Sequence, residues 1–277
     1  MGTSSMYGGP GGGPPKENPL LPPDFDPNSP EQPDPNQDPE DQNDNDGNED
    51  DGNLNQESEI QTTWQSAKTS MSKFSSGNAG SAGSVISTYV KAHGGGKNAS
   101  RSMPSGTRTA VRLGNFVSSV ASSGFREVIE NYRIDYQGKS ATEILTQLIE
   151  VLAPAPITRE DAVARKALII TMEQVYEMVE QSEMDIMDID AKGLNFIVPC
   201  YVKAFIYERL LNDLGSRIES SNITTDRAIE LETELRDYID SKVDVVFKGR
   251  DFSGSTFTTE LVESIFNQCY TAMEIMI

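Results

Sequence analysis

The 277-residue sequence predicts an all-α helical bundle preceded by a long disordered acidic N-terminal tail. Three observations lead there. Between Asp24 and Glu59 stand fourteen Asp or Glu residues and no Lys or Arg, with almost no apolar surface. From about residue 140 onward, apolar residues recur at intervals of three and four, the repeat of one helix face. No alternation of apolar and polar residues is sustained, as a half-buried strand requires.

Residues 1–59 form the tail. They open Met1-Gly2-Thr3-Ser4-Ser5-Met6-Tyr7, pass through a Gly/Pro-rich run, and become Asp/Asn-rich. Ordering a backbone costs roughly 1–2 kcal/mol per residue, and so few apolar side chains do not offset it. Residues 60–126 are a basic, Ser/Gly-rich segment with eight Lys or Arg and no Asp or Glu. A helix is predicted from Ser84 to Ala92, closed by Gly94-Gly95-Gly96. A second runs from Gly106 to Ser122, with Leu113, Phe116, Val117 and Val120 on one side. The glycine content makes this segment a poor autonomous folder.

Residues 127–277 read as an acidic α-helical domain. Ser140-Ala141-Thr142-Glu143 is a capping box ahead of the stripe Ile144, Leu145, Leu148, Ile149, Leu152, which Pro154 and Pro156 stop. Thr158 to Asp161 caps a second helix carrying Leu168, Met172, Val175 and Val179. Met184 to Lys192 is an acidic break. Three further helices carry Val202, Phe205, Ile206, Leu210 and Leu214; then Leu231, Leu235, Ile239, Val243 and Val246; then Val262, Phe266, Cys269, Met273 and Met276.

The net charge of −20 is unevenly spread: −14 in the tail, +8 in residues 60–126, −14 in the rest. A pI near 4.4 argues against a general nucleic-acid binder. Cys200 and Cys269 read as reduced core thiols. No apolar run approaches the length of a membrane span, and the N-terminus has no basic-then-apolar secretory pattern. The expected location is cytoplasmic, with no membrane partner.

Catalytic motifs are weak. Lys91 to Asn98 resembles a phosphate loop but has Lys91 where Gly is required and Asn98 where Ser or Thr is. The single histidine, His93, reads as a solvated loop residue. With one His and two distant Cys there is no structural zinc set, so no metal is expected. Asp44 to Gly47 fails the calcium-loop pattern at both ends. Asp185, Asp188 and Asp190 read as a charged interhelical loop. No catalytic residue is assigned, and no cofactor of its own is expected.

Two features carry chemistry. Gly2 is a candidate acceptor. Its α-amine has a reference pKa near ~7.7–8.0, so a useful fraction is a neutral nucleophile near pH 7; no Cβ shields it, and Thr3, Ser4 and Ser5 are small. Lys97, Arg101, Arg108 and Arg112, spaced by four, seven and four, would share one helical face if Pro104 does not break the register. Such a face suits phosphate or an acidic partner.

The opening Met1-Gly2-Thr3-Ser4-Ser5 with Pro19-Leu20-Leu21-Pro22 resembles the QatB family of the Qat anti-phage defence system of bacteria. So do the stretch around Tyr89, Gly94-Gly95-Gly96, Arg101 to Arg108, Leu113 to Phe116, Arg165 with its apolar helix, and Ile206 to Gly215. The resemblance implies a non-enzymatic subunit and three partners: an ATPase, a QueC-like (QatC-type) enzyme and a TatD-like nuclease. It implies that the QueC-like partner, using ATP and a 7-deazaguanine carboxylate, modifies Gly2, while Thr3, Ser4 and Ser5 line the partner's channel. The alternative is a nucleic-acid-binding module using residues 91–112.

Overall fold

In a computed structural model, residues 55–77, 80–190, 192–219, 223–250 and 255–275 are described, with side chains from Thr63 onward. The expected tail, with Gly2, Thr3, Ser4 and Ser5, lies outside the described residues up to Leu54. Among the described residues there are helices and no strand, as the periodicity predicts. No described helix is long and apolar enough to cross a membrane.

The helices are α1 (Asn55–Ser75), α2 (Ala82–Ala92), α3 (Gly96–Arg101), α4 (Pro104–Ser123), α5 (Phe125–Asn131), α6 (Ala141–Leu152), α7 (Arg159–Ser182), α8 (Ile197–Leu214), α9 (Ser216–Glu219), α10 (Thr225–Phe247) and α11 (Thr259–Glu274), with a 3-10 turn at Ile186–Asp188. α1 starts inside the stretch expected to be tail. Its later turns bury Ala67, Met71 and Phe74 against α2, and tertiary packing, more than propensity, supports a helix.

α8 is the organising element. It contacts α1, α4, α7, α9 and α10. The predicted stripe Val202, Phe205, Ile206, Leu210 and Leu214 is buried, but so are Ile197, Val198, Tyr201, Ala204 and Tyr207. A helix apolar on most sides belongs inside a core. α7 runs against α8, α10 flanks it, and α11 packs on α2, α3, α4 and α10. Leu231, Leu235, Ile239 and Val243 of α10 are fully buried. Met276 lies outside the described residues.

Both predicted capping boxes form. The Ser140 hydroxyl accepts from the Glu143 amide at 3.3 Å while the Glu143 carboxylate accepts from the Ser140 amide at 2.9 Å. The Thr158–Asp161 pair repeats this at 3.0 Å each way. Hydrogen bonds from Ser105 and Thr158 hold the Asp161 carboxyl down at about 2. The C-terminal carbonyls of α6, stopped before Pro154, are met by arginines: Arg112 donates to Leu152 O at 3.2 Å, and Arg165 donates to Ala153 O while pairing with Glu150.

Residues Asp51–Ile277 form one compact unit, so the boundary expected at residue 126 is a change of charge and not of packing. The basic segment is sewn into the acidic helices by its small residues. At Gly106 an added Cβ would stand 2.2 Å from the Phe205 ring, and at Gly114 it would stand 2.2 Å from Phe257. Glycine there lets α4 approach α8 and the segment leading into α11 closely. The glycines that make the segment weak alone are what fit it to its neighbours.

Gly106→Ala tests this. The methyl has no room unless Phe205 shifts, so a loss of about 1–3 kcal/mol is expected, read as a lower denaturant midpoint and melting temperature.

Candidate functional site

Six side chains, Trp64, Tyr89, His93, Arg209, Asp213 and Tyr270, meet on one side of α8. Arg209 and Asp213 stand one turn apart on it, so both project to the same side. Arg209 is 8% exposed. Its guanidinium donates to Ala99 O at 3.0 Å, to Ser102 O at 3.2 Å and Ser102 Oγ at 2.8 Å, and to the Tyr270 hydroxyl at 3.5 Å. One planar fork therefore ties α8 to the end of α3 and to α11. Asp213 Oδ2 accepts from the Tyr89 hydroxyl at 2.7 Å, which ties α8 to α2.

His93 caps the C-terminus of α2. It is not the solvated loop residue that its glycine neighbours suggest. Its side chain is only 12% exposed, and Nε2 lies 3.9 Å from Asp213 Oδ2. The ring packs edge-to-face on Trp64, centroids 4.9 Å apart, and on Tyr89, 4.8 Å apart. Burial, then the positive charge of Arg209, pull its pKa from 6.5 down to about 4, against a smaller upward pull from Asp213. The imidazole is neutral near pH 7. Burial also pulls on the Arg209 guanidinium, but Tyr270, Tyr89 and Asp213 hold it above its ordinary value. Burial raises the Tyr89 hydroxyl well above its ordinary value and raises that of Tyr270.

These groups open onto a cleft of about 320 Å3, lined by residues that include Trp64, His93, Ser102, Val163, Arg209 and Asp213. Among the described residues no group of three His, Cys, Asp or Glu could hold a metal ion.

The anion-binding readings of the glycine turn are filled from within the chain. The Glu274 carboxylate accepts from the Gly96 amide at 3.3 Å. Glu160 Oε1 accepts from the Ser105 amide at 2.7 Å and the Gly106 amide at 3.4 Å, so the N-terminus of α4 already has its carboxylate. Lys97, Arg101, Arg108 and Arg112 are all exposed, but they do not form one helical face. α3 ends at Arg101 and α4 begins at Pro104, because proline lacks the amide that would carry the helix through. Lys97 and Arg101 ride on α3, against α11; Arg108 and Arg112 ride on α4, against α7. Asp185 and Asp190 accept from the Met187 and Gly193 amides at 2.9 and 2.8 Å, which are turn-forming bonds. Cys200 and Cys269 are free thiols; burial raises both, Cys269 to about 12.

Sequence reading did not single out Trp64, Arg209, Asp213 or Tyr270 as a cluster. One signal was present: Arg209 falls seven residues after Val202, in register with the buried stripe, and a charge at a core position marks a polar network or a site.

Several stretches of sequence that carry family resemblance converge here: Tyr89, Ser102 and the 206–215 run contribute. The sequence model of a family described as "Qat anti-phage system associated protein QatB" matches residues 94–276. The chain belongs to the QatB family. No curated protein and no solved structure matches it. As a QatB-family protein it is a component of the Qat anti-phage defence system, associated with the other proteins of that system. The match covers the body from the glycine turn onward, including Arg209 and Asp213.

The depressed His93 pKa makes a pH prediction. The unfolded chain takes up this proton below pH 6.5, whereas the folded chain resists until about pH 4. The contribution is complete above pH 6.5 and is lost as pH falls toward 4, by at most roughly 3 kcal/mol. Urea titrations at pH 7, 5.5 and 4.5 read it as the difference between the native protein and His93→Gln, whose stability should fall less steeply across that window.

Proposed function

We propose that this chain is the non-enzymatic scaffold of its defence system and the protein substrate of a QueC-like partner, which joins a 7-deazaguanine to the amine of Gly2. The observation that carries the reading is the opening Met1-Gly2-Thr3-Ser4-Ser5 on a chain whose family is shown over its helical body. The chemistry suits it. The partner activates a deazaguanine carboxylate with ATP, and ammonia normally attacks. A glycine amine replaces ammonia: its nitrogen bonds the carbonyl carbon, the activating group leaves, and the nitrogen gives up a proton to become an amide. At pH 7 such an amine is far more often neutral than a lysine, whose pKa is near ~10.4. Thr3, Ser4 and Ser5 are the proposed contacts inside the partner's channel.

The groups singled out in the body are engaged in its packing and turns. His93 is buried and neutral, the thiols are raised, and Asp185 and Asp190 accept from backbone amides. Lys97, Arg101, Arg108 and Arg112 are proposed contacts for an acidic partner. Nucleic acid is the weaker occupant, because the four cations are split between two helices.

Mass spectrometry of the N-terminal peptide decides the matter. In cells with the QueC-like partner, the expected result is a mass gain on Gly2, absent when that gene is deleted. An unmodified Gly2 in both rejects the reading. Gly2→Ala crowds the acceptor by one methyl and is expected to slow transfer by roughly ten- to hundredfold, the scale of a displaced nucleophile, with weaker protection against phage.

A further inference from the structure

The cleft beside α8 has chemistry that the Gly2 reading leaves unused. Trp64 and His93 give it ring surface and Val163 aliphatic surface. Arg209 and Asp213 both line it, and the hydrogen bonds each makes are to neutral groups. Arg209 bonds Ala99, Ser102 and Tyr270, all neutral. Asp213 accepts from Tyr89 on Oδ2 and from Asn212 on Oδ1 at 3.0 Å, which leaves lone pairs on both oxygens. His93 Nε2 is buried with no hydrogen-bond partner.

Charge decides what such a cleft accepts. Its lining carries two cations, Arg159 and Arg209, and two anions, Glu160 and Asp213, so a free cation is opposed by the arginines and a free anion by the carboxylates. A neutral ligand with donors set beside an acceptor meets both. Aromatic walls favour a planar ring. The lactam edge of a guanine-type base has that pattern: a ring N–H and an exocyclic amine beside a carbonyl. A carboxylate accepts two such parallel donors, and the carbonyl suits the arginine side. An adenine-type edge offers an acceptor where the guanine ring has its N–H, and so opposes the carboxylate. The exposed cations Lys97, Arg101, Arg108 and Arg112 do not line the cleft, and Arg159 is the single exposed cation among its lining residues, which does not make a track for a phosphate backbone.

We propose that this cleft binds a free guanine-type base or nucleoside, with Asp213 accepting from its lactam N–H and amine and with Trp64 and His93 against its ring. The site stands on the cleft alone and does not depend on modification of Gly2.

Trp64 is the chain's single tryptophan, so its emission reports on the cleft directly. The experiment is a titration of the purified full chain with guanosine and, separately, adenosine, followed by Trp64 fluorescence and by calorimetry. Saturable guanosine binding, at least tenfold tighter than adenosine, is expected. Asp213→Asn keeps an acceptor for Tyr89 but turns a donor toward the base, and should weaken guanosine at least tenfold. Arg159→Ala alters an exposed lining residue and should weaken it several-fold with an unchanged melting temperature, which keeps a test in hand if Asp213→Asn misfolds. No saturable guanosine binding, or binding no tighter than adenosine, overturns the proposal. A single-stranded DNA hexamer with one dG that binds more tightly than guanosine overturns the assignment to a free base. No partner enzyme or modified chain enters the titration, so its failure leaves the Gly2 reading standing, and the reverse.

Discussion

The buried guanidinium of Arg209 is the constraint around which the helical body is arranged. Taking an arginine out of water costs several kcal/mol unless its donors are met. Here they are met by oxygens from the end of α3 and from α11, elements that are 110 residues away in one direction and 61 in the other. Asp213, one turn along α8, balances the charge without direct pairing and takes the Tyr89 hydroxyl of α2. The network is directional where the surrounding apolar core is not. It allows α2, α3 and α11 few positions relative to α8, whereas leucine and valine contacts alone would tolerate many.

That fixing has an electrostatic consequence for the neighbouring histidine. His93 is placed by the end of α2 against Trp64 and between the Arg209 and Asp213 charges. Burial and the guanidinium outweigh the carboxylate, so the ring is held uncharged. The same geometry that completes the core therefore produces a cleft with two acidic groups, two basic groups and aromatic walls. Its polarity is a by-product of how α8 is anchored, and this is why a binding role and a packing role share residues here.

The glycines of the basic segment show how composition alone misleads. Counted by propensity they argue against folding. Placed in the structure, Gly106 and Gly114 occupy positions where aromatic rings of α8 and of the α11 lead lie too close for any side chain. The charge boundary at residue 126 misleads in the same way. α4 and α7 belong to segments of opposite sign, yet Glu160 bonds the Ser105 amide across them.

What the sequence by itself determined was local. The three-and-four spacing of Leu231, Leu235, Ile239 and Val243 fixes a helix face, and all four are buried. Ser140 with Glu143 and Thr158 with Asp161 fix helix starts, because a cap needs only residues three apart. Family membership was legible in the order of short motifs. Tertiary structure alone decided the rest. Whether His93 is solvated depends on Trp64 and Asp213, and whether four cations share a face depends on the turn at Ser102-Met103. The burial of Arg209 depends on carbonyls from other helices. Those outcomes depend on the free energy of contacts between residues far apart in the chain, and no periodicity within one helix encodes its neighbours.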